Sequence, residues 1–62
     1  MKRIRKALEM RHMKQKELAQ DIGITETTLS RYINGTRHPD SEIIVRICKS
    51  LNVSADWLLE LI

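Results

Sequence analysis

The side chains with the most specific chemistry in this sequence occur between residues 26 and 33. Leu29, Tyr32 and Ile33 follow the i, i+3, i+4 spacing of one helix face, so a helix here would turn them towards a core. That spacing leaves four polar side chains on the exposed face: Glu26, Thr27, Ser30 and Arg31. The guanidinium of Arg31 can donate two parallel hydrogen bonds, which suits guanine O6 and N7 or, alternatively, a phosphate. The segment therefore predicts a helix that presents hydrogen-bonding groups to nucleic acid.

Catalytic and metal-binding arrangements are absent from the sequence. It has no Ser, His and Asp at the spacing of a catalytic triad and no glycine-rich phosphate loop. His12 and His38 lie near basic residues instead of carboxylates. The single cysteine, Cys48, cannot form an internal disulfide, and its place on an apolar stripe favours a buried apolar role over a redox sensor. We therefore expect no enzyme activity, metal, cofactor or small-molecule ligand.

Two short helices are expected to position the polar face. Leu18 and Ile22 give residues 15 to 22 an apolar face, and Gly23 can end that helix in a left-handed conformation. Ala19 allows close helix approach, and Thr25 can cap the second helix. Gln15 to Asn34 thus forms a helix-turn-helix, the geometry that places a second helix in a DNA major groove.

Composition and charge are those of a small basic globular protein. The 62 residues are 42% hydrophobic and 31% charged, which predicts one soluble domain. No secretory signal or membrane span is visible, so we expect a cytoplasmic protein. Residues 1 to 37 hold nine Lys/Arg against four Asp/Glu, whereas residues 38 to 62 hold two against four. The basic half therefore suits a polyanion, although for any single lysine a solvated surface position is the favoured explanation.

The remaining sequence predicts three more helices and no strand, so the expected fold is all-α. Helix one runs from Lys2 to about His12, and residues 34 to 39 form a loop. Asp40 caps a fourth helix, with Ile44, Ile47, Cys48 and Leu51 at helical spacing and Asn52 as its terminator. Ser54 caps a fifth helix, which we expect to run to residue 62.

Three segments in register resemble one known family. The chain resembles the phage-repressor/Cro-type helix-turn-helix family, often called XRE, in three segments: QKELAQDIGIT, TLSRYINGTRHP and IVRICKSLNVSADWLLEL. The resemblance implies a compact, lambda-repressor-like DNA-binding domain of five helices, with the helix-turn-helix at helices two and three. It also implies a dimer that binds palindromic operators in double-stranded DNA.

The resemblance further implies roles for individual residues. Glu26, Thr27 and Arg31 match the family's base-reading positions, with Ser30 on the same face. For Glu26 the alternative is that it serves only the helix dipole and repels wrong sequences. Gln15 matches a phosphate contact, and the loop after the second motif helix resembles a second phosphate clamp that includes backbone amides near Gly35 and Thr36. The phosphate-binding set is Gln15, Thr28, Asn34, Thr36, Arg37 and His38. For Thr28 the alternative is support of the helix start, and for His38 a solvated loop position.

The last eight residues carry more apolar surface than one small core can bury. Trp57, Leu58, Leu61 and Ile62 are therefore expected to form a homodimer interface. The alternative is that helix five is simply buried or frays at Ile62. For Trp57, completion of the core under helix one, as in the family, is favoured over stacking on a ligand. For Tyr32, too, a core position is favoured over stacking on a base.

The sequence thus predicts a sequence-specific transcriptional regulator, a repressor of phage or mobile-element type. The alternative from another class is an antitoxin-type protein-interaction module whose DNA binding is autoregulatory.

Overall fold

A computed structural model describes all residues, 1 to 62, and contains five α-helices and no strand. They are α1 (Lys2–Met10), α2 (Gln15–Ile22), α3 (Glu26–Asn34), α4 (Ser41–Leu51) and α5 (Ala55–Leu58). The all-helical prediction is confirmed, as is the placement of the helix-turn-helix at α2 and α3. None of the five helices has the length and apolar character that a membrane crossing requires.

Every helix contributes to a single cluster of twelve buried apolar side chains. Because each helix is amphipathic, its apolar positions meet at the centre while its charged positions remain outside. The cluster consists of Ile4, Ala7, Leu8, Leu18, Ala19, Ile22, Leu29, Tyr32, Ile33, Ile47, Leu51 and Leu58. The predicted core face of α3 is therefore confirmed, including Tyr32, which is 5% exposed.

Helix starts and ends follow the capping chemistry that the sequence predicts. Thr25, Asp40 and Ser54 each accept a hydrogen bond from the backbone amide three residues on, at 3.1, 2.9 and 3.1 Å. Gly23 and Asn52 both adopt the left-handed conformation that ends α2 and α4. The points where these helices begin and end are therefore set by side-chain caps and by residues in the left-handed conformation.

The sequence-based boundaries are wrong at two helices. α1 ends at Met10 because His12 takes a positive φ of 52°, and α5 ends at Leu58 rather than at residue 62. Beyond α5 the chain turns, with Leu61 N donating to Asp56 O at 2.8 Å and Glu60 at a φ of 60°. The many apolar residues between 55 and 62 predicted a helix to the last residue. They indicate where apolar surface lies but do not determine where the helix ends.

α1 and the two residues that flank it, Met1 and Arg11, supply hydrogen-bond donors to the carboxyl ends of three other helices. The Met1 nitrogen donates to Tyr32 O of α3 at 2.9 Å, and Arg3 Nη1 donates to Trp57 O of α5 at 2.7 Å. Arg11 donates to Leu51 O and Asn52 O, at 2.8 and 3.0 Å, where α4 ends. Leu51 O and Asn52 O have no other partner, whereas Tyr32 O and Trp57 O also accept from the amides of Gly35 and Glu60.

Candidate nucleic-acid interface

The turn between α2 and α3 sets the direction of the exposed helix. Gly23 has a φ of 78°, and Ile24 N donates to Ala19 O at 3.0 Å, closing the left-handed end of α2. Ala19 is 1% exposed, so its methyl group is buried in the core. A side chain at residue 23 would be strained at this φ, which explains why glycine stands there.

Arg46 reinforces this turn from α4. Its Nη1 donates to Ile22 O at 3.3 Å, and its Nη2 pairs with Glu42 at 2.8 Å. Sequence reasoning missed this contact. The i, i+4 spacing of Glu42 and Arg46 is a visible signal for the ion pair, whereas the carbonyl of Ile22 is 24 residues away and is reached only in the folded chain.

α3 presents the polar face that its periodicity predicts. Glu26, Thr27 and Arg31 are exposed and Ser30 is half-buried, while Leu29 on the opposite side is fully buried. The four polar side chains therefore share one outward surface. No hydrogen bond or ion pair within the chain occupies the Arg31 guanidinium, which leaves its five donors available to a ligand.

Thr28 is engaged at the start of α3. Its amide donates to Thr25 Oγ1, and the two hydroxyl oxygens are hydrogen-bonded at 2.9 Å. This geometry matches support of the helix start, the alternative that the sequence left open. A phosphate contact by Thr28 stays a prediction.

The loop after α3 differs in one respect from the predicted phosphate clamp. The amides of Gly35 and Thr36 donate to Tyr32 O and Arg31 O, at 3.3 and 3.0 Å, so they close α3 and are not free for a phosphate. The Thr36 hydroxyl also donates to Arg31 O, at 3.3 Å. The expectation of backbone amides in this clamp is therefore corrected, whereas the side chains of Asn34, Arg37 and His38 are exposed.

Gln15 occupies the first position of α2, next to the positive end of the helix dipole. Lys14 precedes it without a side-chain cap, and Glu17 instead accepts a hydrogen bond from Lys14 N at 3.1 Å. Gln15 is half-buried and makes no side-chain hydrogen bond within the chain. A phosphate contact by Gln15 stays a prediction.

The residues around α5 separate into core and surface. Leu58 is 1% exposed, so its side chain belongs to the core and has no surface for a partner, which corrects its assignment to a dimer interface. Trp57 is half-buried beneath the Arg3 guanidinium, 5.2 Å from the ring centroid. The apolar surface that remains consists of Leu59, Leu61 and Ile62, which we call the α5 apolar patch.

Cys48 is half-buried on α4 and packs against the core. Desolvation by burial raises the pKa of its thiol. A thiol with a raised pKa holds less thiolate at neutral pH and is correspondingly less reactive. This environment agrees with a role as a small apolar side chain.

The structure has the features of a small helix-turn-helix domain. α2 ends at a glycine, α3 is capped and has one buried and one polar face, and three further helices support the pair. A family model described as "Helix-turn-helix" matches residues 4–58. The chain therefore belongs to the XRE-type helix-turn-helix family, as its sequence motifs predict.

Similar proteins carry related names. The chain is 32% identical over 57 residues to the "Uncharacterized HTH-type transcriptional regulator YqaE" of Bacillus subtilis, covering 92% of this chain and 49% of that protein. It is 34% identical over 58 residues to the "HTH-type transcriptional regulator ImmR" of the same organism, covering 94% and 46%. "Antitoxin PezA" of Streptococcus pneumoniae is 44% identical over 50 residues, covering 79% and 32%. The chain thus spans about half the length, or less, of these relatives, and no solved structure matches it.

Proposed function

We propose that this domain is a transcriptional regulator that binds double-stranded DNA in a sequence-specific manner. The observation that carries the proposal is the exposed polar face of α3, held outward by the turn at Gly23. A helix presented in this way enters a major groove with its side chains at the base edges. Family membership and the two relatives named as transcriptional regulators support the same function.

Base reading is assigned to Glu26, Thr27, Ser30 and Arg31. Arg31 is expected to pair with a guanine through its two parallel donors, and Thr27 to contact a thymine methyl group. The carboxylate of Glu26 accepts a hydrogen bond from cytosine N4, or it disfavours other sequences by electrostatic repulsion of their acceptor groups. Phosphates on either side of the groove are assigned to a further set of side chains: Gln15, Thr28, Asn34, Thr36, Arg37 and His38.

The domain is further proposed to work as a homodimer on a palindromic operator. Leu59, Leu61 and Ile62 expose apolar surface that a second copy would cover. A two-fold axis would then place two copies of α3 about 34 Å apart, one turn of DNA. In this proposal the domain acts by binding alone, without catalysis, and works as a repressor in the cytoplasm.

Selection of binding sites from random duplex DNA tests the proposal. The wild-type domain is expected to enrich one motif with two related half-sites, and Arg31→Ala is expected to lose the preference at one position of each half-site. Lys49→Ala is a control, because Lys49 is an exposed cation on α4 and is assigned no DNA contact. A wild-type domain that enriches no sequence would refute specific recognition.

A second candidate function is that of an antitoxin whose DNA binding regulates its own expression. It is supported by the 44% identity to the relative named Antitoxin PezA. The test is co-expression with proteins encoded beside its gene. An antitoxin restores growth that such a protein arrests, whereas a regulator of the first kind has no such effect.

A further inference from the structure

A small basic cleft lies between the start of α1 and the end of α3. It has a volume of about 190 Å³ and is lined by Lys2, Arg5, Ile33 and Asn34. The spacing of Lys2 and Arg5 places both cations on the same side of α1, one turn apart. The cleft is thus a concave surface with two positive charges and one amide side chain.

The two helices that form the cleft are fixed relative to each other. The Met1 nitrogen donates to Tyr32 O at 2.9 Å and to Ile33 O at 3.4 Å, both in the last turn of α3. Ile4 of α1 is fully buried in the core that Leu29 and Tyr32 of α3 share. The distance between the cations and the end of α3 is therefore set by packing.

The cations of the cleft have no partner within the chain. Lys2 and Arg5 are exposed and make no side-chain hydrogen bond or ion pair. Three other arginines are engaged, because Arg3 and Arg11 donate to backbone carbonyls and Arg46 pairs with Glu42. The cleft therefore concentrates positive charge that the fold itself does not neutralise.

We propose that this cleft binds a backbone phosphate of DNA, next to the base pairs that α3 reads. This inference rests on the proposed function, since it places α3 in a major groove with its carboxyl end towards the groove edge. Two cations and an amide donor match the oxygens of one phosphate group. α1 thereby becomes part of the DNA interface, and the contacts extend beyond the helix-turn-helix.

Salt titrations of Lys2→Gln, Arg5→Gln and the double variant test this site on the duplex enriched in the selection experiment. Each single variant is expected to bind roughly fivefold more weakly, equally on the selected duplex and on a scrambled one. The slope of log K against log salt is expected to fall by about 0.9 when the phosphate contact is lost. Lys49→Gln removes the same charge from α4 and is expected to keep the wild-type slope.

Chemically modified DNA locates the phosphate. Replacing one flanking phosphate with a neutral methylphosphonate is expected to weaken wild-type binding and to leave the double variant unaffected. Inorganic phosphate added at constant ionic strength is expected to leave the affinity for DNA unchanged. Inhibition by inorganic phosphate that disappears in Arg5→Gln would overturn the DNA assignment in favour of a free anion.

The remaining outcomes separate this inference from the proposed function. A wild-type domain that binds no duplex overturns the proposed function itself. A wild-type domain that binds DNA while the double variant keeps its slope overturns the cleft alone. An equal decrease of the slope in Lys49→Gln would also reject the cleft, because the cations would then act only through the net charge. A change of thermal stability alone in Arg5→Gln would reject it too, because Arg5 would then interact only with the dipole of α3.

Discussion

The backbone of Arg31 is fixed, whereas its side chain extends into solvent. Its carbonyl oxygen accepts hydrogen bonds from Thr36 N at 3.0 Å, Arg37 N at 3.3 Å and Thr36 Oγ1 at 3.3 Å. The loop that follows α3 is thereby joined to the same residue that we assign to base reading. A change in this loop is therefore expected to alter the position of the guanidinium.

Replacing Arg31 with lysine separates base reading from phosphate binding. Arg31→Lys keeps the positive charge but loses the fork that pairs with guanine O6 and N7, so about 1 to 3 kcal/mol of discrimination should be lost at one position of each half-site. Affinity for scrambled DNA should change little. The measurement is equilibrium binding to the selected duplex and to its single-base substitutions.

Arg37→Lys provides the matched control, because Arg37 is assigned to a phosphate and should keep the sequence preference of the wild type. If Arg31→Lys also keeps that preference, Arg31 contacts a phosphate and the base-reading assignment is wrong.

Residues of the candidate site were predictable where local periodicity decides their exposure. Leu29 and Tyr32 are buried and Arg31 is exposed because one helix period separates the two faces. The roles of Arg3 and Arg46 were not predictable. Their carbonyl partners lie 54 and 24 residues away, so only the folded chain brings them together.

At the scale of elements, α3 depends on a single side-chain cap. Thr25 Oγ1 accepts a hydrogen bond from Thr28 N at 3.1 Å, at a position where the helix has unpaired amides. Thr25→Ala should therefore lower the free energy of unfolding by about 1 kcal/mol. Denaturant unfolding followed by circular dichroism measures this change.

Thr27→Ala is the control for this prediction. It removes the same atoms from an exposed position of α3 whose side chain makes no hydrogen bond within the chain, so its effect on stability should be much smaller. Equal losses of stability in the two variants would contradict the capping role of Thr25, because alanine has the higher helix propensity and Thr27→Ala should not destabilise α3.

Element boundaries were predictable where a capping side chain marks them. Thr25, Asp40 and Ser54 mark three helix starts, and Gly23 marks one helix end. The end of α5 was not predictable, because apolar residues occupy six of the eight positions from 55 to 62 and obscure any helical period, and the segment contains neither glycine nor proline.

At the scale of the whole molecule, the α5 apolar patch is the main apolar surface that the core of the domain leaves exposed. Leu61 and Ile62 are 69% and 75% exposed. Covering each copy of Leu61 and Ile62 in a two-fold interface should contribute about 1 kcal/mol. Because the dimer holds four such side chains, Leu61→Ser combined with Ile62→Ser should weaken dimerisation by about 4 kcal/mol, roughly a thousandfold. Sedimentation across a concentration series, with and without DNA, measures this effect.

Val45→Ser is the control for the dimer, because Val45 is 49% exposed on α4 and is not part of the α5 apolar patch. A wild-type chain that stays monomeric at every concentration, including on DNA, would contradict the homodimer. Equal weakening by Val45→Ser would place the interface elsewhere or make it non-specific.

The hydrogen bonds that α1 supplies to the ends of α3, α4 and α5 have a consequence for folding cooperativity. Their partners lie 31, 40 and 54 residues apart in sequence, so these bonds form only when distant parts of the chain have come together. Melting of α1 alone would remove a hydrogen-bond donor from three helix ends at once and would leave Leu51 O and Asn52 O without a partner. Partial opening is therefore costly, and the amide hydrogens of α3 should exchange with solvent mainly through global unfolding.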